Sequence, residues 1–183
     1  METPSTRRSA VAAFTGDPHP GVSELAHSEK IGLKGPEVES WIKRHHLPWP
    51  AAIYEVLESD DGSLVARVGT GEVIVESEGP GKLVDQIEGL LEASAPGVYR
   101  VEQQSATLLL RGQDAPAICA QTCGVKLSRE PTGKILYTRV AGISCGILPQ
   151  GEGEARTYRL WVDYSYAPAL YSTLVEIASD VSE

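Results

Sequence analysis

The apolar residues of this chain change period in an order that runs twice, and few architectures accommodate such a pattern. From Gly35, after a Gly-Pro step suited to a helix entrance, Val38, Trp41, Ile42 and His45 recur at helical spacing, and the helix should stop before Pro48. Short strands are expected at 52–57, 64–68 and 72–75, separated by Asp60-Asp61-Gly62 and Gly69-Thr70-Gly71, both strong turn sequences. Leu83, Ile87, Leu90 and Leu91 then mark an amphipathic helix ending near Ala95-Pro96-Gly97. The second half repeats the logic, with strands at 98–101 and 106–110 and a helix capped by Asp114 that runs through Cys123. Strands at 135–140, 143–148 and 157–163 follow, then a last helix from Tyr166. Tight turns make sequence neighbours into hairpin neighbours. The expected fold class is therefore α+β, with mainly antiparallel sheets, helices on one face, and ferredoxin-like lobes at about 31–96 and 97–183 of a single domain. Residues 1–30 have prolines and isolated histidines with little apolar periodicity, so they read as an extended arm held by partners or by the domain surface. Deleting residues 1–20 is expected to leave the core nearly unchanged.

A chain of 183 residues buries most of its apolar surface without cross-links. Its net charge of −9 repels phosphate backbones, and the basic residues are scattered through Arg7, Arg8, Lys43, Arg44, Lys126 and Arg129 without forming a stripe, so no nucleic-acid partner is expected. An acidic surface of this kind keeps a domain in solution or docks it against a basic surface on a larger protein. Arg7-Arg8 ahead of Ala10-Val11-Ala12-Ala13-Phe14 superficially suggests an export signal. Thr15, Gly16, Asp17 and Pro18 end that run short of the roughly 7–15 apolar residues such a signal needs. No later stretch approaches the ~18 apolar residues of a membrane helix, and the expected location is the cytoplasm.

Candidate chemistry is sparse. Cys119, Cys123 and Cys145 are an odd number without a CxxC spacing, and no basic neighbour is placed to lower a thiol pKa, so they read as reduced, structural residues and not as metal ligands. Adjacent His45 and His46 project in different directions from a helix and are not placed to share a metal; with His19 and His27 in the arm, no nucleophile–base pair is specified. Gly79-Pro80-Gly81-Lys82 precedes a helix whose free amides suit an anion, but Leu83 stands where a phosphate loop needs a hydroxyl, so helix entrance is the favoured reading. Asp163 and Ser165 are candidate caps for the last helix, with Pro168 in its first turn. No catalytic residue, no metal site and no Gly-x-Gly-x-x-Gly after a strand to receive a dinucleotide is found.

The stretch from Lys126 to Tyr171 reads Lys-Leu-Ser-Arg-Glu-Pro-Thr-Gly-Lys, Ile-Leu-Tyr-Thr-Arg-Val-Ala-Gly-Ile-Ser-Cys-Gly-Ile-Leu and Tyr-Arg-Leu-Trp-Val-Asp-Tyr-Ser-Tyr-Ala-Pro-Ala-Leu-Tyr. It resembles the C-terminal half of the gamma subunit of heterotetrameric sarcosine oxidase, a small protein on the folate-binding fold of aminomethyltransferases. Arg7-Arg8-Ser9-Ala10-Val11 is similar to the family's Arg-Arg-Ser-Pro-Leu arm, and Lys34-Gly35-Pro36 followed by Trp41 and Ile42 looks like the helix entrance of bacterial relatives. Between Leu64 and Val75, Gly69 and Glu72 are retained while Thr70, Gly71 and Val73 replace the family's Pro-Asp and Trp positions. The resemblance implies a noncatalytic subunit without a cofactor of its own, partnered by a large alpha-type chain and an FAD-containing beta-type chain. Flavins and tetrahydrofolate are then expected in those partners, with Arg7 and Arg8 as candidate interface residues. The alternative is a stand-alone folate-binding or one-carbon-transfer protein, although no acidic residue beside a folate is placed. Cys145 in Ile-Ser-Cys-Gly-Ile-Leu lacks the Lys-Gly-Cys-Tyr-X-Gly-Gln-Glu motif of folate-fold proteins that assist iron–sulfur enzymes.

Overall fold

The computed structural model describes residues 8–79 and 81–182, apart from the side chain of Glu154. In chain order the elements are β1 (Val22–Glu24), β2 (Glu29–Lys34), α1 (Val38–Arg44), β3 (Val56–Glu58), β4 (Leu64–Gly69), β5 (Glu72–Ser77), α2 (Lys82–Ala93) and β6 (Tyr99–Val101). They continue with β7 (Ser105–Leu110), α3 (Ala115–Thr122), β8 (Leu136–Val140), β9 (Ile143–Gln150), β10 (Thr157–Asp163) and α4 (Ala167–Val181). The chain forms two compact units, one of Ser28–Gln103 and the other of the residues up to His27 together with Gln104 onward. These divisions differ from those at about 30 and 96 drawn from the sequence, and the second unit is discontinuous.

In the Ser28–Gln103 unit the sheet runs β3-β4-β5-β2-β6, and every pairing in it is antiparallel. Ile31 and Leu33 of β2, Val65 of β4, and Val73 and Val75 of β5 alternate onto one face, as the period of a strand requires. Val38, Trp41 and Ile42 of α1 and Leu83, Val84 and Ile87 of α2 close the core over them. Gly35 turns the chain from β2 toward α1 at φ 148°, and its N–H donates to the Gly71 carbonyl at 2.9 Å. A Cβ at Gly35 would collide with the Gly97 carbonyl, and one at Gly71 with the carbonyl of Gly35, so the three backbones meet because positions 35 and 71 are glycine.

The other unit has the sheet order β1-β7-β10-β9-β8, again antiparallel throughout. Read from the hairpin edge, β8-β9-β10-β7-β1 matches β3-β4-β5-β2-β6 position for position, with α3 and α4 in the places of α1 and α2. Each is a ferredoxin-like βαββαβ arrangement with one added edge strand. The strand that follows α2 in one unit is supplied in the other by β1, from the N-terminal side. Leu108, Leu110, Ile147, Tyr158, Leu160 and Val162 line the inner face, and Leu170, Leu174 and Ala178 of α4 cover it with Ile118 of α3.

Several expected elements differ. The strand expected at 52–57 is confined to β3, because residues 51–54 turn and Arg67 draws the Pro50 and Ala51 carbonyls away from any ladder. Residues 22–24 and 29–34, read from sequence largely as arm, are strands. The expected caps of α3 and α4 also differ: neither Asp114 nor Tyr166, which stand at the cap positions, makes a side-chain cap bond. Asp163 instead accepts from the Ser165 amide and hydroxyl in a local turn.

Candidate functional site

The amides that open α2 are the first place an anion would bind. They are occupied by the chain's own carboxylates: Glu29 Oε2 accepts from Gly81 N at 3.1 Å and Asp61 Oδ2 from Leu83 N at 2.9 Å. The other Asp61 oxygen accepts from the Ser59 hydroxyl and from Ser63 N. The Ser59 hydroxyl, then the Leu83 and Ser63 amides, hold the Asp61 carboxyl below its ordinary 3.8. Two carboxylates at one helix end occupy two of its amides and repel a further anion.

The three thiols are buried in one core. Burial pushes Cys119 up to about 12 and Cys145 up to about 11, so neither supplies a thiolate near neutrality. Among the described residues no group of three or more His, Cys, Asp or Glu is gathered to hold a metal ion.

A hydroxyl, an imidazole and a carboxylate do meet on the surface of the discontinuous unit. Gly21 N donates to His19 Nδ1 at 3.1 Å, which leaves the proton on Nε2, 3.3 Å from the Ser182 hydroxyl; that hydroxyl lies 3.2 Å from Asp114 Oδ2. The order is wrong for a nucleophile, since the carboxylate holds the hydroxyl and His19 Nδ1 is taken by the Gly21 amide. These contacts fasten the arm and the start of α3 to the end of α4. The other histidines have structural places: the His45 ring packs edge-on to Trp41 with centroids 4.8 Å apart, and His46 turns the chain after α1.

What remains is surface. Arg7 lies outside the described residues. Arg8 is exposed, and its carbonyl lies 3.2 Å from the Tyr164 hydroxyl. The arm beyond it is fixed to its own unit: Ser9 Oγ and Ala10 N donate to the Glu24 carboxylate, Ala10 is buried, and Phe14 packs edge-on against Tyr171 at 5.0 Å. In the Ser28–Gln103 unit the loop 51–54, Ala-Ala-Ile-Tyr, is exposed throughout. Sequence reading missed it by taking it for strand, although the flanking Pro48 and Pro50 were a signal against that.

Comparisons with known proteins bear on this geometry. No protein-family model and no curated protein matches the sequence. Among solved structures, a chain of the heterotetrameric sarcosine oxidase from Corynebacterium sp. U-96, in complex with pyrrole 2-carboxylate, is similar with TM-score 0.69 and 23% identity, over 88% of this chain and 85% of that one. The glycine cleavage system aminomethyltransferase T from Bartonella henselae is similar with TM-score 0.61 and 15% identity, over 86% of this chain and 45% of that one. The fold is the folate-binding fold of these proteins. In the second case the chain spans under half of its relative.

The fold raises the question of a folate. A pterin presents adjacent N–H donors that a withdrawn carboxylate would accept. Among the described residues the buried carboxylate is Glu76, and Lys30 Nζ lies 3.4 Å from it across the β2–β5 ladder, both side chains being 1% exposed. That carboxylate is committed to a buried ion pair, where loss of one charge strands the other. The buried Glu76 carboxylate is therefore no open acceptor for a pterin.

Proposed function

We propose that this chain is a noncatalytic, gamma-type subunit of a heterotetrameric sarcosine oxidase or a related N-methyl amino-acid dehydrogenase. The observation that carries this reading is a match of nearly whole chain to whole chain, 88% against 85%, with a sarcosine oxidase chain. The aminomethyltransferase, by contrast, is met over 45% of its length. In this reading a large alpha-type chain and an FAD-containing beta-type chain are the partners, and they hold the flavins and the tetrahydrofolate that accepts the one-carbon unit. The assembly works in the cytoplasm. Thiols pushed upward by burial, a neutralised buried carboxylate and an occupied helix end support a chain that assembles and does not itself react. Arg7 and Arg8 are charged anchors toward the large chain in this reading.

Co-expression of the full chain with alpha-type and beta-type chains of an amine-oxidising complex tests it. Stoichiometric co-purification is expected, with sarcosine-dependent flavin reduction in the complex and a colourless isolated chain. A flavin spectrum from the chain alone, or low-micromolar tetrahydrofolate binding by calorimetry, would instead favour a stand-alone one-carbon protein.

A further inference from the structure

We infer that the basic edge of the discontinuous unit, formed by Tyr137 and Arg139 of β8 with Lys126, Arg129 and Lys134 leading into that strand, is the surface by which this chain grips an acidic segment of a different, larger protein chain. The inference rests on the subunit reading and names the surface that performs it.

β8 is an outer strand: β9 lies on one side, and on the other Cys123 pairs with Val140 at the strand's end. From Cys123 the chain runs back beside β8 to Leu127 and Glu130, whose carbonyls accept from Arg156 Nη2 toward the strand's other end, and then turns into β8. This run carries Lys126, Arg129, Lys134 and Arg139, all exposed, against Glu130. Among the described residues none of those four bases has a carboxylate partner, whereas Lys34, Lys43, Arg67 and Arg100 of the other unit are each paired with a glutamate. Counting Arg156 and the two glutamates of the loop before β10 still leaves five bases to three acids. Asp163, two strands away, is held by Ser165. A chain of net charge −9 thus keeps an unneutralised positive surface at this edge.

Leu136 and Val140 pack on the core, so the alternating Tyr137 and Arg139 share the opposite face of the sheet. Gly146 stands opposite Tyr137 on β9, and a Cβ there would lie 3.1 Å from Tyr137 Cε1 and 3.5 Å from Trp161 Cε3. The tyrosine ring therefore leans across the glycine, and it is still 54% exposed. Charge along an outer strand ordinarily keeps other chains away. A large ring set among bases does the opposite for a chain that approaches with negative charge, since the ring supplies contact area and the bases supply attraction.

Charge also selects the occupant. A second copy docked across a two-fold axis would set these bases against one another, and one docked through its Ser28–Gln103 unit, where acids are twice as many as bases, would propagate head to tail without closing. Nucleic acid and anionic membrane are repelled by the chain's net charge. An acidic protein segment meets lysine and arginine with carboxylates one at a time.

The test uses the full chain co-expressed with the alpha-type and beta-type chains. Lys134→Glu with Arg139→Glu is expected to weaken association by about tenfold or more and to flatten its salt dependence, with circular dichroism and melting unchanged. Arg44→Glu, at an exposed base of the other unit, is expected to leave association as it was. Benzoylphenylalanine in place of Tyr137 should crosslink to a peptide of the larger chain rich in aspartate and glutamate. If the unaltered chain assembles and the Lys134→Glu, Arg139→Glu variant assembles equally well, or Arg44→Glu weakens assembly as much, the basic edge is wrong and the subunit reading stands. A crosslink to a second copy, to nucleic acid or to a segment without acidic residues also overturns it. If the unaltered chain joins neither flavoprotein chain, the subunit reading falls and takes the basic edge with it.

Discussion

His46 carries a left-handed backbone, φ 55°, at the position just past the end of α1. Its N–H donates to the Lys43 carbonyl and that of Leu47 to Ile42, the paired bonds that close a helix when the intervening residue is left-handed. Glycine takes that conformation without the Cβ conflict, which costs other residues roughly 1–2 kcal/mol. His46→Gly is therefore expected to stabilise by about 1 kcal/mol, raising the melting temperature by roughly 2–4 °C in calorimetry. An unchanged or lower melting temperature would mean the imidazole contributes more than its backbone costs. The thiols give a second expectation at this scale. Unfolded cysteine titrates near 9.0, whereas burial keeps Cys119 protonated to about 12 and Cys145 to about 11. Because the folded values are raised, the unfolded chain loses protons first, and stability present below pH 9 is progressively lost above it. At pH 8 a thiol reagent should label the native chain only at its unfolding rate, and rapid labelling of one thiol would contradict the buried assignment. The histidine pair shows why such detail escapes the sequence: Pro48 announced where the helix must stop, but a left-handed histidine has no signature.

Asp61 joins two elements, because one carboxylate caps the entrance of α2 through Leu83 N and holds the turn before β4 through Ser63 N. Removing such a cap costs about 1 kcal/mol, so Asp61→Ala should destabilise by roughly that amount in urea unfolding. Its folded carboxyl lies below the ordinary 3.8, so its contribution is present above that pH and is lost as pH falls through the depressed folded value. Asp61→Asn should show a shallower acid loss than the parent, and identical acid profiles would remove the carboxylate from this role. The sequence announced Asp60-Asp61-Gly62 as a turn but not that one of its side chains reaches 22 positions onward to a helix. The same limit governs the strands. β4, β5, β9 and β10 were legible because apolar runs end at glycine or charged turns, as at Gly69-Thr70-Gly71. β2 hides its alternation, since Ile31 and Leu33 face the core while Lys30, Gly32 and Lys34 take the other face. β1 offers Val22 as its buried residue, too little for any periodicity. The loop at 51–54 was read as strand because its composition is apolar, against the signal of Pro48 and Pro50; the Arg67 bonds, made from the neighbouring strand β4, hold it as a turn.

At the scale of the whole molecule, the chain runs one topology twice, and the second run borrows its outer strand from the N-terminal side. Val22, Ser23 and Glu24 of β1 pair with Leu110, Leu109 and Leu108 of β7, and Glu24 in turn receives Ser9 and Ala10. The repeated order of helices and hairpins was readable from local periodicity. The borrowed strand was not, because pairing between residues so far apart leaves no local trace. This alters what the arm does. The sequence reading expects deletion of residues 1–20 to leave the core nearly unchanged, but that deletion removes buried Ala10 and the Phe14 ring from Tyr171. Loss of a packed phenylalanine costs about 3–5 kcal/mol in a closed core, and Phe14 is partly buried, so a cost of about 2 kcal/mol is expected. The shortened chain should stay folded and monomeric with a clearly lowered melting temperature. Extending the deletion through His27 takes β1 as well and uncovers the β7 edge at Leu108–Leu110, an apolar strand whose freed ladder groups recruit other chains. Size-exclusion chromatography should then show oligomers or aggregate where the shorter deletion gives one peak. Equal melting and equal elution for both truncations and the full chain would mean that β1 and the arm rest on this unit without completing it.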